Sequence, residues 1–484
     1  MGLVRRRRFL SGMAAPLVAP RAMPAAGRRN ILLITCDDLG LQVGCYGETR
    51  IRTPHMDRLA ASGVRFETAY VTQASCSPSR SSIFTGLYPH GTGQYGLANP
   101  GYKLHPHLHA ATIPAVLKTA GYRTGIIGKL HVEPEDVFPF DFDERRSHGL
   151  TRTVREAASR TRRFLSGVGG LPFFLMMNFA DPHALRDATD PNQWSFPVQV
   201  DSLPAKPLPP GARTLWNWQG VDAPAQRARV AGYLNAVDRV DTGVGMVLEE
   251  LKQAGRLEDT VVILIGDNGP PFERGKTTCY EAGLRTPFLV RWPGVSRPSV
   301  SQALVSTVDI APTIFDAAGV QSPVAVHGRS LRPVLAGPAA GWRGYLAGEF
   351  HYHGARNFYP RRAIRDQRYK LIHNLLAGRA KPPTGIDGDG ASRLARESRY
   401  DGTPVRAVFE RFADPPEFEF YDLAQDPIEF VNLAGKPELR RQQERLAAAM
   451  LAWRKESQDP FLDTAFLERM IRDGAPVLRT KALK

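Results

Sequence analysis

Short runs of apolar residues recur along the first two thirds of the chain, and each predicts a buried strand. Residues 29–36 (RNILLITC), 171–180 (LPFFLMMNFA) and 259–266 (DTVVILIG) are apolar with almost no alternation of polar positions. Parallel strands that are covered on both faces have this character, whereas half-exposed strands alternate. Residues 64–71 and 122–127 predict two further strands.

The segments between these strands carry helix signals. Residues 54–62 begin with a proline that follows Thr53, a predicted N-cap. Pro78 is placed to begin a second helix, which ends near Gly86. Residues 225–255 place apolar side chains three, four or seven positions apart, which describes one face of a long helix. These side chains are Val230, Leu234, Val237, Val244, Leu248 and Leu251.

This alternation predicts an α/β fold, in which a large and mostly parallel sheet is sandwiched by helices over residues 28–345. Residues 183–224 are rich in Pro, Asp and Trp without periodicity, which predicts a long surface loop at the rim of a site. Residues 346–484 have shorter, half-exposed strand patterns and a polar helix near 436–457. They predict a smaller C-terminal α+β domain on an antiparallel sheet.

The first 27 residues differ from the rest of the chain. Residues 6–10 (RRRFL) fit the twin-arginine export pattern, and a short apolar run and the small residues Ala25 and Ala26 follow. Residues 1–27 therefore predict an export signal and a periplasmic destination, with a disordered basic arm as the alternative. The apolar run is too short and too interrupted by proline to cross a bilayer, so no stable membrane span is expected.

Composition and charge narrow the class of protein. The 484 residues are 43% hydrophobic and contain four cysteines at irregular spacing, which excludes a disulfide framework and a CxxC zinc site. The formal net charge of +15 suits a polyanionic partner such as a sulfated glycan, an anionic lipid or a nucleic acid. No nucleic-acid-binding signature is present, so we expect no nucleic acid partner.

Polar side chains follow four of the predicted strands. In a doubly wound sheet, ligands bind beyond the carboxyl ends of the strands, so these side chains are expected to meet there. The acidic and amide groups among them offer only oxygen ligands, which suits Ca²⁺ or Mg²⁺ and not zinc. The four groups are Asp37 with Asp38, Lys129 with His131, Asp181 with His183, and Asp267 with Asn268.

Cys76 stands just before a predicted helix, where backbone N–H groups would stabilise a thiolate. The phosphatase cradle Cys-x5-Arg does not fit, because only three residues separate Cys76 from Arg80. A buried structural cysteine is the alternative.

The full string from Cys76 to Arg80 (CSPSR), followed by SSIFTG, resembles the C-x-P-S-R…TG signature of type I sulfatases. The resemblance extends over nearly the whole chain, from NILLITCDDLG to YDLAQDPIEFVNLA. The stretches TGLYPHGTGQYGL and DNGPPFERGKT are most similar to the heparan N-sulfatases (sulfamidases). This resemblance implies the alkaline-phosphatase/sulfatase fold, with residues 28–345 as the catalytic domain.

The resemblance also implies how the site works. A maturation enzyme would oxidise Cys76 to formylglycine, whose hydrate attacks the sulfur atom. Calcium, or magnesium, would be held by Asp37, Asp38, residue 76, Asp267 and Asn268. The remaining implied roles are stabilisation of the nucleophile by Arg80, neutralisation of sulfate oxygens by Lys129 and Lys276, orientation or deprotonation of the diol by His131, and protonation of the leaving group by His183.

Four further positions are weaker candidates for sugar contacts, with a structural role as the alternative for each: Asp181, His353, Tyr359 and Arg362. Two positions depart from the sulfamidase pattern. Lys276 stands where sulfamidases carry arginine, and His353-Gly354 stands where they carry His-Glu.

The resemblance implies hydrolysis of a sulfated sugar, with the N-sulfate of glucosamine as the expected substrate. An O-sulfatase and a phosphonate or phosphodiester hydrolase of the same superfamily are alternatives within this fold. A non-catalytic binder of sulfated glycans, in which Cys76 stays unmodified, is the alternative from another class. The assembly, monomer or homodimer, is left open.

Overall fold

The computed structural model describes residues 28–98, 101–145, 151–186, 189–190, 193–354 and 358–472. The predicted export signal, residues 1–27, lies outside them. The strands are β1 Asn30–Cys36, β2 Val64–Phe66, β3 Ala69–Tyr70, β4 Arg123–Ile127, β5 Phe142–Glu144, β6 Phe173–Phe179, β7 Leu185–Arg186, β8 Trp194–Ser195, β9 Thr260–Gly266, β10 Phe288–Arg291, β11 Ser299–Ser301, β12 Val305–Ser306, β13 Leu346–Phe350, β14 Arg361–Arg365, β15 Tyr369–Asn374 and β16 Phe418–Asp422.

The α-helices alternate with these strands in the first part of the chain, as predicted. They are α1 Pro54–Ser62, α2 Cys76–Thr85, α3 Pro89–Thr92, α4 Ile113–Thr119, α5 Val154–Ser166, α6 Pro224–Gln253, α7 Glu281–Leu284, α8 Ile310–Ala318, α9 Arg332–Ala336, α10 Ala391–Leu394, α11 Pro404–Ala413, α12 Arg440–Glu456 and α13 Thr464–Arg472. Within the described ranges, no helix combines the length and the apolar character that crossing a membrane requires.

The large sheet has eight strands in the order β11-β2-β10-β9-β1-β6-β4-β5. Only β10 runs antiparallel to its neighbours, β9 and β2. Successive residues of β1 enter different cores: Ile31 and Leu33 pack beneath α4 and α8, whereas Leu32 and Ile34 pack beneath α1, α5 and α6. Because both faces are covered, the strands need no polar alternation. The predicted α/β fold is confirmed.

The second sheet, β13-β14-β15-β16, is antiparallel throughout. Its strands are mostly buried, so their predicted half-exposure is wrong. The physical reason is that Ile364 and Leu371 pack against α12, while Ala363 and Ile372 share a core with Tyr70 of β3 and Leu284 of α7. The boundary at residue 345 between two domains stays a prediction.

Three local expectations differ from the structure. The run 64–71 divides into β2 and β3, which belong to different sheets. Thr53 does not cap α1 with its side chain; its hydroxyl accepts a hydrogen bond from the Gly44 N–H instead. Helix α2 begins at Cys76 and not at Pro78. Pro78 therefore lies in the first turn, where the missing proline N–H costs no helical hydrogen bond.

Candidate active site

The carboxyl ends of four neighbouring strands bring the predicted polar groups together. In the parallel register, Cys36 at the end of β1 lies beside Phe179 of β6 and Gly266 of β9. The residues that follow these strand ends therefore emerge at one edge of the sheet, as the doubly wound arrangement predicts. Lys129 joins them from the end of β4 and Cys76 from the first turn of α2.

Three carboxylates and one amide crowd this edge. Asp37, Asp38 and Asp267 have no exposed surface. The Asp38 N–H donates to Asp267 Oδ1 at 2.9 Å, and Asn268 Nδ2 donates to Asp38 Oδ1 at 2.7 Å. Burial, together with the neighbouring Asp37, raises the pKa of Asp267 to about 6. Burial in this cluster therefore disfavours the charged form of Asp267.

Each of these carboxylates has a cation of its own. Arg80 Nε lies 2.8 Å from Asp267 Oδ2, and Lys129 Nζ lies 2.7 Å from Asp37 Oδ2. Lys276 Nζ lies 2.9 Å from the Asp38 carboxylate. Burial opposes the charged form of Lys276, but its acidic neighbours outweigh burial and raise its pKa well above the ordinary value. Lys276 is thus a buried, charged ammonium group.

Cys76 lies at the centre of this arrangement, with Sγ 3.5 Å from Asp37 Oδ1. Burial raises the pKa of its thiol and outweighs the opposing effect of Lys129 and Lys276. A thiolate, expected at a helix N-terminus, is therefore not the form that this environment favours. An unmodified Cys76 would be a neutral thiol and a poor nucleophile.

The residues at this edge fit a bound cation. One ligand atom from each of Asp37, Asp38, Cys76 and His183 lies within 4.8 Å of the others. Asn268 Oδ1 is buried without a hydrogen-bond partner, which a metal ion would supply. Oxygen-rich ligands of this kind suit a hard cation. His183 was not among the predicted metal ligands, but its Nε2 lies 3.7 Å from Asp38 Oδ2.

A cleft of about 520 Å³ opens above Cys76. Six predicted residues line it: Cys76, Lys129, His131, His183, Lys276 and His353. Six others line it that sequence reasoning did not name: Leu97, Leu130, Glu135, Arg145, Trp194 and Asp387. Trp194 lies in the predicted rim loop, and Asp387 lies in a Gly-rich turn (GIDGDG). The predicted site residues were those that follow strands of the large sheet, and neither Trp194 nor Asp387 does so.

The three histidines of the cleft differ in their surroundings. His183 Nδ1 lies 2.6 Å from the Ala184 carbonyl oxygen, so Nδ1 carries the proton and Nε2 faces the acid cluster. Burial and Lys129 lower the pKa of His131 well below its ordinary value. Burial and Lys276 lower that of His353 to about 3. His131 and His353 are therefore neutral near pH 7.

Three of the four weaker candidates do not line the cleft. Asp181 is buried between Arg152 and Arg239, which both donate to its carboxylate. Arg362 is buried against Asp459, with two N–O distances of 2.7 and 2.8 Å.

Tyr359 is also buried, with the Arg361 guanidinium 4.8 Å from its ring centre. The structure therefore gives Asp181, Tyr359 and Arg362 structural surroundings, because their polar groups are occupied or enclosed. His353 alone of the four lines the cleft.

Comparison with known proteins identifies the family. A family model described as "Sulfatase" matches residues 29–320, and one described as "N-sulphoglucosamine sulphohydrolase, C-terminal" matches residues 274–379. The chain is 34% identical to human N-sulphoglucosamine sulphohydrolase over 467 residues, which cover 90% of this chain and 91% of that protein. The chain belongs to the sulfatase family. The family predicted from the sequence is thereby confirmed.

Solved sulfatase-like structures share the fold. One, in complex with its substrate D-glucosamine-2-N,6-O-disulfate, superposes with a TM-score of 0.66 at 24% identity over 89% of this chain and 98% of that chain. The phosphonate monoester hydrolase of Agrobacterium radiobacter superposes with a TM-score of 0.65 at 20% identity over 89% of this chain and 96% of its own. At these identities the fold is shared, while the substrate differs between neighbours.

Proposed function

We propose that this sulfatase hydrolyses the N-sulfate of glucosamine in a heparan-type saccharide. The proposal rests on the match of residues 274–379 to the C-terminal region of the N-sulphoglucosamine sulphohydrolases. That segment supplies Lys276 and His353, which line the cleft above Cys76. The matched segment therefore forms part of the cleft wall that would face the substrate.

The two lysines provide the charge that a sulfate needs. Lys129 and Lys276 line the cleft with Cys76, and their ammonium groups are held by Asp37 and Asp38. Fixed cations that already face the developing charge stabilise a transition state without reorganising. Arg80 is fully buried beneath them, so it acts on the nucleophile and the acid cluster and does not reach the sugar.

His183 is placed to protonate the leaving amine. Its Nδ1 proton is engaged by the Ala184 carbonyl, so a second proton is gained and lost at Nε2, which faces the acid cluster. His131 is kept neutral by burial and by Lys129, so it can accept a proton from the nucleophile. The two histidines thus divide the acid and base roles.

Two groups that the family implies fit this site. Asp37, Asp38, Asp267 and Asn268, with residue 76, would hold calcium or magnesium, which supplies positive charge to the reacting oxygens. Formylglycine at position 76 would supply, as its hydrate, an oxygen nucleophile in place of the neutral thiol. We further propose export through the twin-arginine signal, a periplasmic location and modification by a formylglycine-generating enzyme.

Hydrolysis of glucosamine N-sulfate, measured beside glucosamine 6-O-sulfate, tests the substrate. The matured, calcium-loaded protein is expected to release sulfate and free glucosamine from the N-sulfate. The Cys76→Ala variant, prepared in parallel, is the control for contaminating activity. Turnover of the O-sulfate alone would overturn the N-sulfate assignment, and turnover of a phosphonate monoester alone would move the chain to the phosphonate hydrolases. Binding of a sulfated glycan without any turnover would favour the non-catalytic alternative.

A further inference from the structure

A loop between β15 and α10 reaches the cleft. Its residue Asp387 places Oδ2 3.0 Å from Lys276 Nζ. The two side chains are 8% and 1% exposed. Burial alone would raise the pKa of Asp387, but Lys276 outweighs burial and holds that pKa well below its usual value. The pair is therefore an enclosed ion pair at the wall of the cleft.

The loop is anchored at Asp387 itself and at Asp389. The Asp387 carbonyl accepts a hydrogen bond from Arg229. Asp389 Oδ2 accepts hydrogen bonds from Gln219 Nε2 and from the Glu273 N–H, each at 2.7 Å. These contacts fix the backbone that carries Asp387.

Gly388 adds a steric constraint to the same loop. It has a φ of +78°, and a Cβ added there would come within 3.0 Å of Trp194 Cβ. The loop thus packs directly on the aromatic side of the cleft. The anchored loop backbone therefore holds the Asp387 carboxylate beside Lys276.

A lysine ammonium has three N–H donors. Nζ lies 2.9 Å from both oxygens of Asp38 and 3.0 Å from Asp387 Oδ2, so one donor shared by the two Asp38 oxygens and one donor on Asp387 leave one N–H for the cleft. We propose that Asp387 is a positioning residue, which aims this remaining N–H of Lys276 at the sulfate group of the substrate. The proposal rests on the proposed function only in taking sulfate as the group that Lys276 binds.

A simpler role for Asp387 would be to lower the local positive charge. The two roles predict opposite changes in the affinity for an anion when the carboxylate is removed. Removal of a carboxylate that acts by charge alone would strengthen the binding of an anion, whatever replaces it. Removal of a carboxylate that positions Lys276 would weaken anion binding, unless the replacement still accepts a hydrogen bond. Asparagine retains an acceptor oxygen and alanine does not.

The experiment measures the dissociation constant of inorganic sulfate by calorimetry on the calcium-loaded protein. The variants are Asp387→Ala, Asp387→Asn and the matched control Asp414→Ala, which removes the carboxylate partner of Lys381 outside the cleft. The Asp414 and Lys381 side chains are 55% and 70% exposed, so this change leaves the cleft and its loops intact. We expect Asp387→Ala to bind sulfate on the order of ten-fold more weakly than wild type, in line with the loss of a charge-assisted hydrogen bond. We expect Asp387→Asn to bind at least as tightly as wild type and Asp414→Ala to match it.

Turnover of an aryl sulfate is the second readout, and kcat is expected to fall for Asp387→Ala and to recover in Asp387→Asn. Equal behaviour of the alanine and asparagine variants would overturn the positioning role, and so would the absence of sulfate binding by wild type. Thermal unfolding separates these results from misfolding, and Asp387→Asn keeps the test open where Asp387→Ala does not fold. Because the probes are sulfate and an aryl sulfate, failure to hydrolyse glucosamine N-sulfate would contradict the proposed function without deciding this proposal.

Discussion

Two clusters of buried charge differ in whether they open to solvent. The open cluster, at the strand ends, comprises Asp37, Asp38, Asp267, Arg80, Lys129 and Lys276. The closed cluster, between α3 and the C-terminal segment, comprises His90, Glu349, Arg362, Arg454 and Asp459. Both contain ion pairs between side chains with no exposed surface, but Lys129 and Lys276 of the open cluster line the cleft above Cys76, and no member of the closed cluster does.

Burial opposes the charged form of an acid in both clusters, but the net pKa shifts of Asp267 and Glu349 have opposite signs. In the open cluster, burial and Asp37 raise the pKa of Asp267 to about 6. In the closed cluster, burial also opposes ionisation of Glu349, but His90 and His351 outweigh it and lower its pKa to about 2. At Glu349 the neighbouring cations outweigh burial, whereas at Asp267 the cations Arg80 and Lys129 do not. Buried charge alone does not identify a functional site; the open cluster is distinguished by the cleft that two of its cations line.

The largest expected effect breaks the open cluster at its centre. Cys76→Ala removes the precursor of the nucleophile, so kcat is expected to fall by at least about a thousand-fold. The fold should be retained, because no ion pair is lost. Sulfate release and thermal unfolding, measured on the same preparation, check both statements.

Cys279→Ala is the matched control, since Cys279 is similarly buried but lies in the core against the antiparallel sheet and does not line the cleft. Its turnover should stay near that of wild type. Retained turnover in Cys76→Ala would refute the nucleophile assignment.

The next effect breaks the closed cluster. Arg362→Met leaves Asp459 with Arg454 as its remaining cation, and loss of a buried partner of this kind costs about 3 kcal/mol of unfolding free energy. KM of the folded fraction should not change, because Arg362 does not line the cleft. Urea unfolding and steady-state kinetics measure the two quantities.

Arg361→Met is the control on the same strand, since the Arg361 guanidinium lies over the Tyr359 ring. It should cost less stability than Arg362→Met. Unchanged stability together with a raised KM in Arg362→Met would contradict the structural role and show that Arg362 contributes to substrate binding.

The smallest effect sharpens the comparison by adding a metal cation to the open cluster. Calcium at a hundred times its dissociation constant is expected to stabilise the fold by about 2.7 kcal/mol. Chelation should therefore lower the unfolding midpoint, and readdition of calcium should restore it. In Asn268→Ala the calcium-dependent shift should shrink, because a ligand oxygen is lost. A midpoint that is indifferent to calcium in wild type would contradict the metal site.

The sequence predicts those features that local pattern controls. The buried strands and the apolar face of α6 follow from periodicity, because periodicity reports which side chains are covered. Of that face, only Leu248 is less than fully buried. The residues after the strand ends were predictable for the same reason, since parallel strands share an edge.

The remaining features depend on contacts between distant parts of the chain. Asp387 reaches the cleft across 111 positions of sequence from Lys276, and no local signal distinguishes it from other turn aspartates. Arg362 shows the converse: it belongs to a family-like string, but the string does not reveal that its partner is Asp459. A sequence motif therefore indicates that a residue matters to the family, but it does not identify the residue that its side chain contacts.

The burial of α2 has a consequence for the order of events in the cell. All ten residues of this helix are buried, and Cys76 is 2% exposed. An enzyme that oxidises Cys76 must hold the surrounding segment in its own active site, which the packed helix does not permit. The proposed maturation would therefore have to precede the closure of this core, and a chain that folds too early would keep its thiol. If Cys76 is matured as proposed, the speed of folding would limit the yield of active enzyme.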